Sequence, residues 1–107
     1  MLECCKNLEM IEAIIWIADH LGVRLSESQV KIFLHVAKFN ADEKILKVAS
    51  IIGVSNNTMM RGARVLEREG LAIRVPNPCD ARSMILRCTE NGIALFHRMI
   101  AELGCYK

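Results

Sequence analysis

The hydrophobic period of this chain changes at Gly70, and that change restricts its fold more than any other feature. Up to Glu69 the apolar residues recur every three to four positions, the spacing of helices with one buried face. After Gly70 the period is two. Leu71, Ile73 and Val75 alternate with Ala72 and Arg74, and Met84, Leu86 and Cys88 alternate with Ile85 and Arg87. Pro76 to Asp80, between these runs, is rich in turn formers. The pattern predicts a β-hairpin over 71–88 with one face on the core. Two strands are marginal alone, so the helices must supply most of that core.

Those helices have legible limits. Leu8, Ile11, Ile14, Ile15 and Ala18 surround Trp16 at helical spacing and predict a strongly apolar helix over 6–21, stopped by Gly22. Ser26 opens a second helix with Val30, Phe33, Leu34 and Ala37 on one stripe, and Lys31, His35 and Lys38 elsewhere. A short helix over 44–52 turns Leu46 (or Ile45), Ala49 and Ile52 inward and ends at Gly53. Ser55 is an N-cap candidate for a helix over 56–69, since its hydroxyl can accept from an orphan amide of the first turn. In that helix Met59 and Ala63 are expected inside and Met60 outside. Thr89 caps a last helix over 90–103, whose broad apolar face holds Ile93, Leu95, Phe96, Met99, Ile100 and Leu103. The expected order is α-α-α-α-β-β-α: mainly α with a small hairpin, one domain over 1–107.

Composition excludes several alternatives. Hydrophobic residues make up 52% of the 107, and mean hydropathy is +0.25, against the low hydrophobicity of disordered chains. The longest purely apolar run, Ala13 to Ala18, falls far short of the ~20 residues that span a bilayer. No secretion signal is evident. Five cysteines, at 4, 5, 79, 88 and 105, are an odd number without a CxxC spacing, which fits a reducing cytoplasm better than a disulfide framework. His20, His35 and His97 form no metal-ligand spacing, and no phosphate loop or nucleophile elbow occurs. An enzyme, a cofactor and a metal site are therefore not expected.

Two helices joined by Gly53-Val54-Ser55, with the second followed at once by a hairpin, describe a winged helix-turn-helix over 44–88. Its second helix is of a size to enter the ~12 Å major groove. Charge agrees with this reading. Although the net charge is only +2, Ser55 to Cys88 contains six of the eight arginines, no lysine, and three acids, Glu67, Glu69 and Asp80. Arginine suits bidentate contacts to phosphate and guanine.

Four segments carry a more specific likeness. They are Leu25-Ser26-Glu27-Ser28-Gln29; Val48-Ala49 to Gly53-Val54-Ser55; Thr58, Arg61 and Leu66-Glu67-Arg68-Glu69-Gly70-Leu71 to Arg74; and Asp80-Ala81-Arg82-Ser83 followed by Thr89-Glu90-Asn91-Gly92. In order and spacing over residues 25–92, the chain resembles the multiple-antibiotic-resistance regulator (MarR) family of transcription factors. The resemblance implies a regulator, typically a repressor, bound to double-stranded DNA at a pseudo-palindromic operator. It implies that Ser55, Asn56, Asn57, Thr58 and Arg61 meet bases and phosphates, with Arg64 one turn further on the same face. Arg82 becomes the wing residue of the minor groove, Asp80 holds that arginine or shapes the wing tip, and Arg74 and Arg87 suit backbone contacts at the wing stem. For Ser55, capping is the main expected task, and Arg68 is expected to pair with Glu67 or Glu69.

Family members extend further at both ends. Here the apolar surplus lies in the terminal helices, which predicts a homodimer joined through Leu8, Ile11, Ile15, Leu95, Met99 and Leu103. No residue nominates a small-molecule effector, although some family members bind phenolic compounds. A redox-sensing regulator using Cys4 or Cys5 is an alternative, as is a winged-helix module for protein interaction or replication.

Overall fold

The computed structural model describes the backbone of residues 2–39 and 43–104, with side chains from residue 10 onward except at Ala81. Five helices and one hairpin follow in the expected order: α1 (Leu2–Leu21), α2 (Glu27–Phe39), α3 (Ile45–Ile52), α4 (Asn56–Arg68), β1 (Ala72–Asn77), β2 (Asp80–Cys88) and α5 (Glu90–Leu103). Helix α1 begins four residues ahead of the expected start at residue 6.

Side-chain caps set the helix starts. Ser26 and Gln29 form a reciprocal capping box: Gln29 N donates to Ser26 Oγ at 3.2 Å, and Ser26 N donates to Gln29 Oε1 at 2.9 Å. Thr58 N donates to Ser55 Oγ at 3.1 Å at the head of α4, and Gly92 N donates to Thr89 Oγ1 at 3.0 Å at the head of α5. Between α3 and α4, Gly53 adopts φ +77°, a left-handed conformation that costs glycine little. Its N–H returns to Ala49 O at 3.0 Å, so the connection is tight enough to fix the angle between the two helices.

Helix α2 is the centre of the molecule and packs on α1, α3, α4, α5 and β2. Its Val30, Ile32 and Phe33 are fully buried, together with Ile17 of α1, Met59 and Leu66 of α4, Ile85 of β2 and Met99 of α5. In α3 the inward residue is Ile45; Leu46 is 50% exposed.

The hairpin differs from the single-faced ribbon expected. Its register pairs Ile73 with Arg87 and Val75 with Ile85, and Ala72 with Cys88 and Arg74 with Leu86. The apolar set of β1 and the expected apolar set of β2 therefore lie on opposite faces. At the root both faces are covered. Lys44 forms an isolated antiparallel bridge with Ile85, and β2 is flanked by α2, α3 and α5. Ile85 and Leu86 are consequently both buried, while Ile73 and Met84, expected inside, are 50% and 41% exposed.

Candidate nucleic-acid interface

Helix α4 spends one face on the core. Met59, Gly62, Ala63 and Leu66 are buried at positions i, i+3, i+4 and i+7, the signature of a single helical stripe. The opposite stripe carries Asn57, Arg61, Arg64 and Arg68, all exposed. Arg68 pairs with Glu69 at 3.5 Å. Among the described residues Arg61 and Arg64 have no side-chain partner. Asn56 is exposed beside them. Ser55 and Thr58 are occupied by the cap: besides the backbone bond, Ser55 Oγ donates to Thr58 Oγ1 at 2.9 Å. Their hydroxyls hold the helix start, and the open donors of this face are the asparagines and arginines.

The wing tip is braced from inside. Asn77 is buried between Pro76 and Pro78; its Oδ1 accepts from Cys79 N at 2.9 Å and its Nδ2 donates to Ser83 Oγ at 3.3 Å. Ser83 Oγ in turn donates to Asp80 O at 3.1 Å. Asp80 Oδ1 accepts from Arg82 N at 3.1 Å and lies 3.6 Å from Arg82 Nε. Arg82 itself projects outward with 95% of its side chain exposed. Asp80 thus sits within the tip and beside the arginine. The tip-bracing role of Asn77 was not foreseen, although an asparagine between two prolines is a signal for such a turn.

Arg74 does not fit the expectation of a DNA-backbone contact. Its Nε meets Glu67 Oε1 at 2.9 Å, with both side chains about 70% covered. It straps the end of α4 to β1. Arg87 is half-buried at the ribbon root.

Between α3, the start of α4 and β2 lies an open cleft of about 430 Å³. Its lining includes the apolar Leu46, Met60 and Met84 and the polar Lys44, Asn56 and Arg82. Met60 is therefore half-buried in this cleft instead of facing out freely.

The terminal helices pack on each other. Trp16 Nε1 donates to Glu102 Oε1 at 3.0 Å, and the Trp16 and His20 rings stack at 3.8 Å. Of the residues expected to join two copies, Ile11 and Ile15 are 55% and 56% exposed. Leu95 and Met99 are packed into the chain's own core, at 9% and 0% exposure. Leu103 is half-buried, and the Leu8 side chain lies outside the described residues.

Among the cysteines, Cys79 is exposed at the wing tip and Cys88 is buried. The side chains of Cys4 and Cys5, and Cys105, lie outside the described residues. Desolvation by burial pushes the Cys88 thiol up to about 11 from 9.0. Above pH 9 the unfolded thiol ionises and the folded one resists. Stability from this group is therefore full below pH 9 and falls as pH rises toward 11, by about 2–3 kcal/mol in all. In denaturation series at pH 8 and pH 11, Cys88→Ala should lose correspondingly less stability than the wild type; equal losses would remove the assignment. Among the described residues no group of three or more His, Cys, Asp or Glu is placed to hold a metal, and no helix is long and apolar enough to cross a membrane.

No family profile matches the chain, and no curated protein sequence matches it. Solved structures do. Wild-type MarR from E. coli in its apo form superposes with a TM-score of 0.76 at 16% identity, over 96% of this chain and 73% of that one. A cysteine-to-serine mutant of MarR from E. coli, complexed with operator DNA, gives 0.74 at 16%, over 96% and 71%. The PcaV transcriptional regulator from Streptomyces coelicolor, in complex with its natural ligand, gives 0.65 at 21%, over 75% of this chain and 56% of that one. The present chain thus spans between about half and three quarters of these proteins. With the helix order, the braced hairpin and the register above, these superpositions establish that the chain has the MarR-like winged-helix fold.

Proposed function

We propose that the chain is a sequence-specific double-stranded-DNA-binding transcriptional regulator, a repressor acting as a homodimer on a pseudo-palindromic operator. One observation carries this reading: the exposed stripe Asn57, Arg61, Arg64 on α4 and the exposed Arg82 on a braced hairpin share one molecule, on a fold that a relative uses against operator DNA. In this reading α4 enters the major groove, where Asn56 and Asn57 have the bidentate geometry for adenine and Arg61 that for guanine. Arg64 contacts a phosphate, and Arg82 enters the adjacent minor groove. Arg87 adds at most a peripheral contact. The exposed Ile11 and Ile15 on α1 support a two-fold contact between copies. A binding role, not catalysis, accounts for this surface, and the soluble chain would act in the cytoplasm.

Selection of binding sites from random duplex DNA tests the proposal. A defined half-site, repeated with inverted symmetry, is expected. Arg61→Ala should weaken binding to the selected site and relax preference at one position by about 1–3 kcal/mol, while Arg82→Ala should weaken binding. If neither change alters DNA affinity, the winged helix serves protein interaction instead. A solution mass of one chain at micromolar concentration would remove the dimer.

A further inference from the structure

Lys44 stands outside every expectation drawn from the sequence. It precedes α3, its side chain is 55% exposed, and its Nζ lies 3.6 Å from Asp80 Oδ2. The other oxygen of the same carboxylate lies 3.6 Å from Arg82 Nε. Two cations from distant parts of the chain are thereby held side by side on the two oxygens of one acid, and both line the cleft that Leu46, Met60 and Met84 also line.

We propose that Lys44 and Arg82 form a two-cation clamp for the DNA sugar–phosphate strand that crosses this cleft. The inference rests on the DNA-binding reading above. If α4 occupies the major groove and Arg82 the neighbouring minor groove, the strand that separates the two grooves must pass between them. The cleft lies between the start of α4 and Arg82.

The chemistry of the cleft matches that occupant. A lysine ammonium has three donors and an arginine guanidinium five. Asp80 engages one group on each, at a separation longer than a good hydrogen bond. Most of their donors remain open to a phosphate, and Arg can offer it a fork. Asp80 offsets the repulsion between the two cations in the free protein, so the pair is in place before DNA arrives. The three apolar side chains in the same lining suit the carbon–hydrogen surface of a deoxyribose rather than a base edge. Lys44 therefore adds affinity without sequence information, as phosphate contacts do.

The experiment measures binding of the full chain to its selected duplex across salt concentration. Loss of one phosphate contact lowers the slope of log affinity against log salt by about one. For Lys44→Gln, the wild-type advantage in affinity should thus shrink about three- to fourfold between roughly 50 and 200 mM salt. The selected sequence should not change, and Lys44→Arg should restore the slope. Lys38→Gln makes the same charge change at an exposed position of α2 and should leave the slope at its wild-type value. If Lys44→Gln behaves like Lys38→Gln, or shifts base preference, the clamp is overturned while the DNA-binding reading stands. If the wild-type chain binds no duplex at all, both fall. Superimposable melting curves for the variants confirm that folded proteins are being compared.

Discussion

Phe33→Ala is expected to cost about 3–5 kcal/mol, the largest single-residue loss in the molecule. Phe33 is fully buried in α2, the helix that packs on every other helix and on β2. Its ring meets Phe96 of α5 edge-to-face, with centroids 6.4 Å apart and planes at 89°. Truncation removes the ring's burial, that aromatic contact, and the packing on both sides of the void. Phe33 lies in a core whose Val30, Ile32 and Met59 are likewise fully buried, so the site has little freedom to collapse. A domain of this size has on the order of 5–15 kcal/mol in hand, so the variant should lose a large fraction of its stability. Chemical denaturation would read the loss as a lower midpoint at unchanged slope. Phe33→Leu, which keeps most of the apolar contact, should lose only about 1–2 kcal/mol. Equal losses for the two would mean that the aromatic contact and void contribute nothing.

Two glycines in helices should respond oppositely to one added methyl. A Cβ at Gly92 would overlap the carbonyl oxygen of Leu71 and press on the Cys88 sulfur. That oxygen is backbone, and it accepts the Thr89 N–H at 3.0 Å; it cannot move without breaking the junction between β1 and α5. Gly92→Ala should therefore be destabilising by about 2 kcal/mol, even after the ~1 kcal/mol that alanine gains in helix propensity. A Cβ at Gly62 would overlap the terminal Cδ1 of Ile32, the far end of a side chain rather than backbone, and make ordinary contact with Gln29. Gly62→Ala should stay within about 1 kcal/mol of the wild type. Thermal melts of both variants decide the matter: a tolerated Gly92→Ala would mean that α5 and the wing root are not in close contact.

The element order was readable because punctuation and periodicity agreed. Ser26, Ser55 and Thr89 cap helices as their chemistry demands, and Gly53 and Gly70 take positive φ at helix ends. What escaped reading depended on tertiary partners. Periodicity identified an apolar alternation in the hairpin, but only the pairing register decides which residues share a face, and helices from other parts of the chain pack against β2, where Ile85 and Leu86 are both buried. Arg74 had the composition of a phosphate contact; its partner Glu67 is brought to it only by the reversal at Gly70. Leu95 and Met99 sit on the apolar face of α5, and periodicity cannot tell a chain's own core from a partner's. Conversely, Asp80 and Arg82 were legible as a pair because they are two residues apart in one tip, whereas Lys44 reaches that tip from far along the chain and leaves no local signal.

Thr89 gives the hairpin a mechanical character. Its hydroxyl donates to Gly70 O at 2.6 Å and accepts from Gly92 N at 3.0 Å, and its N–H donates to Leu71 O at 3.0 Å. The ribbon is thus clamped where it meets α5, and its register slips only past Pro76, near the free end. It is a lever seated on the last helix, with Arg82 at its far end and a second tether there through the Lys44 contact to Asp80. The arm from Ala72 to Asn77 is six residues, or about 20 Å at ~3.3 Å per residue. A tilt of about 10° at the clamp moves the tip by about 3 Å, the length of a hydrogen bond. Small rotations of α5 are therefore geared up into displacements that make or break contacts at the tip.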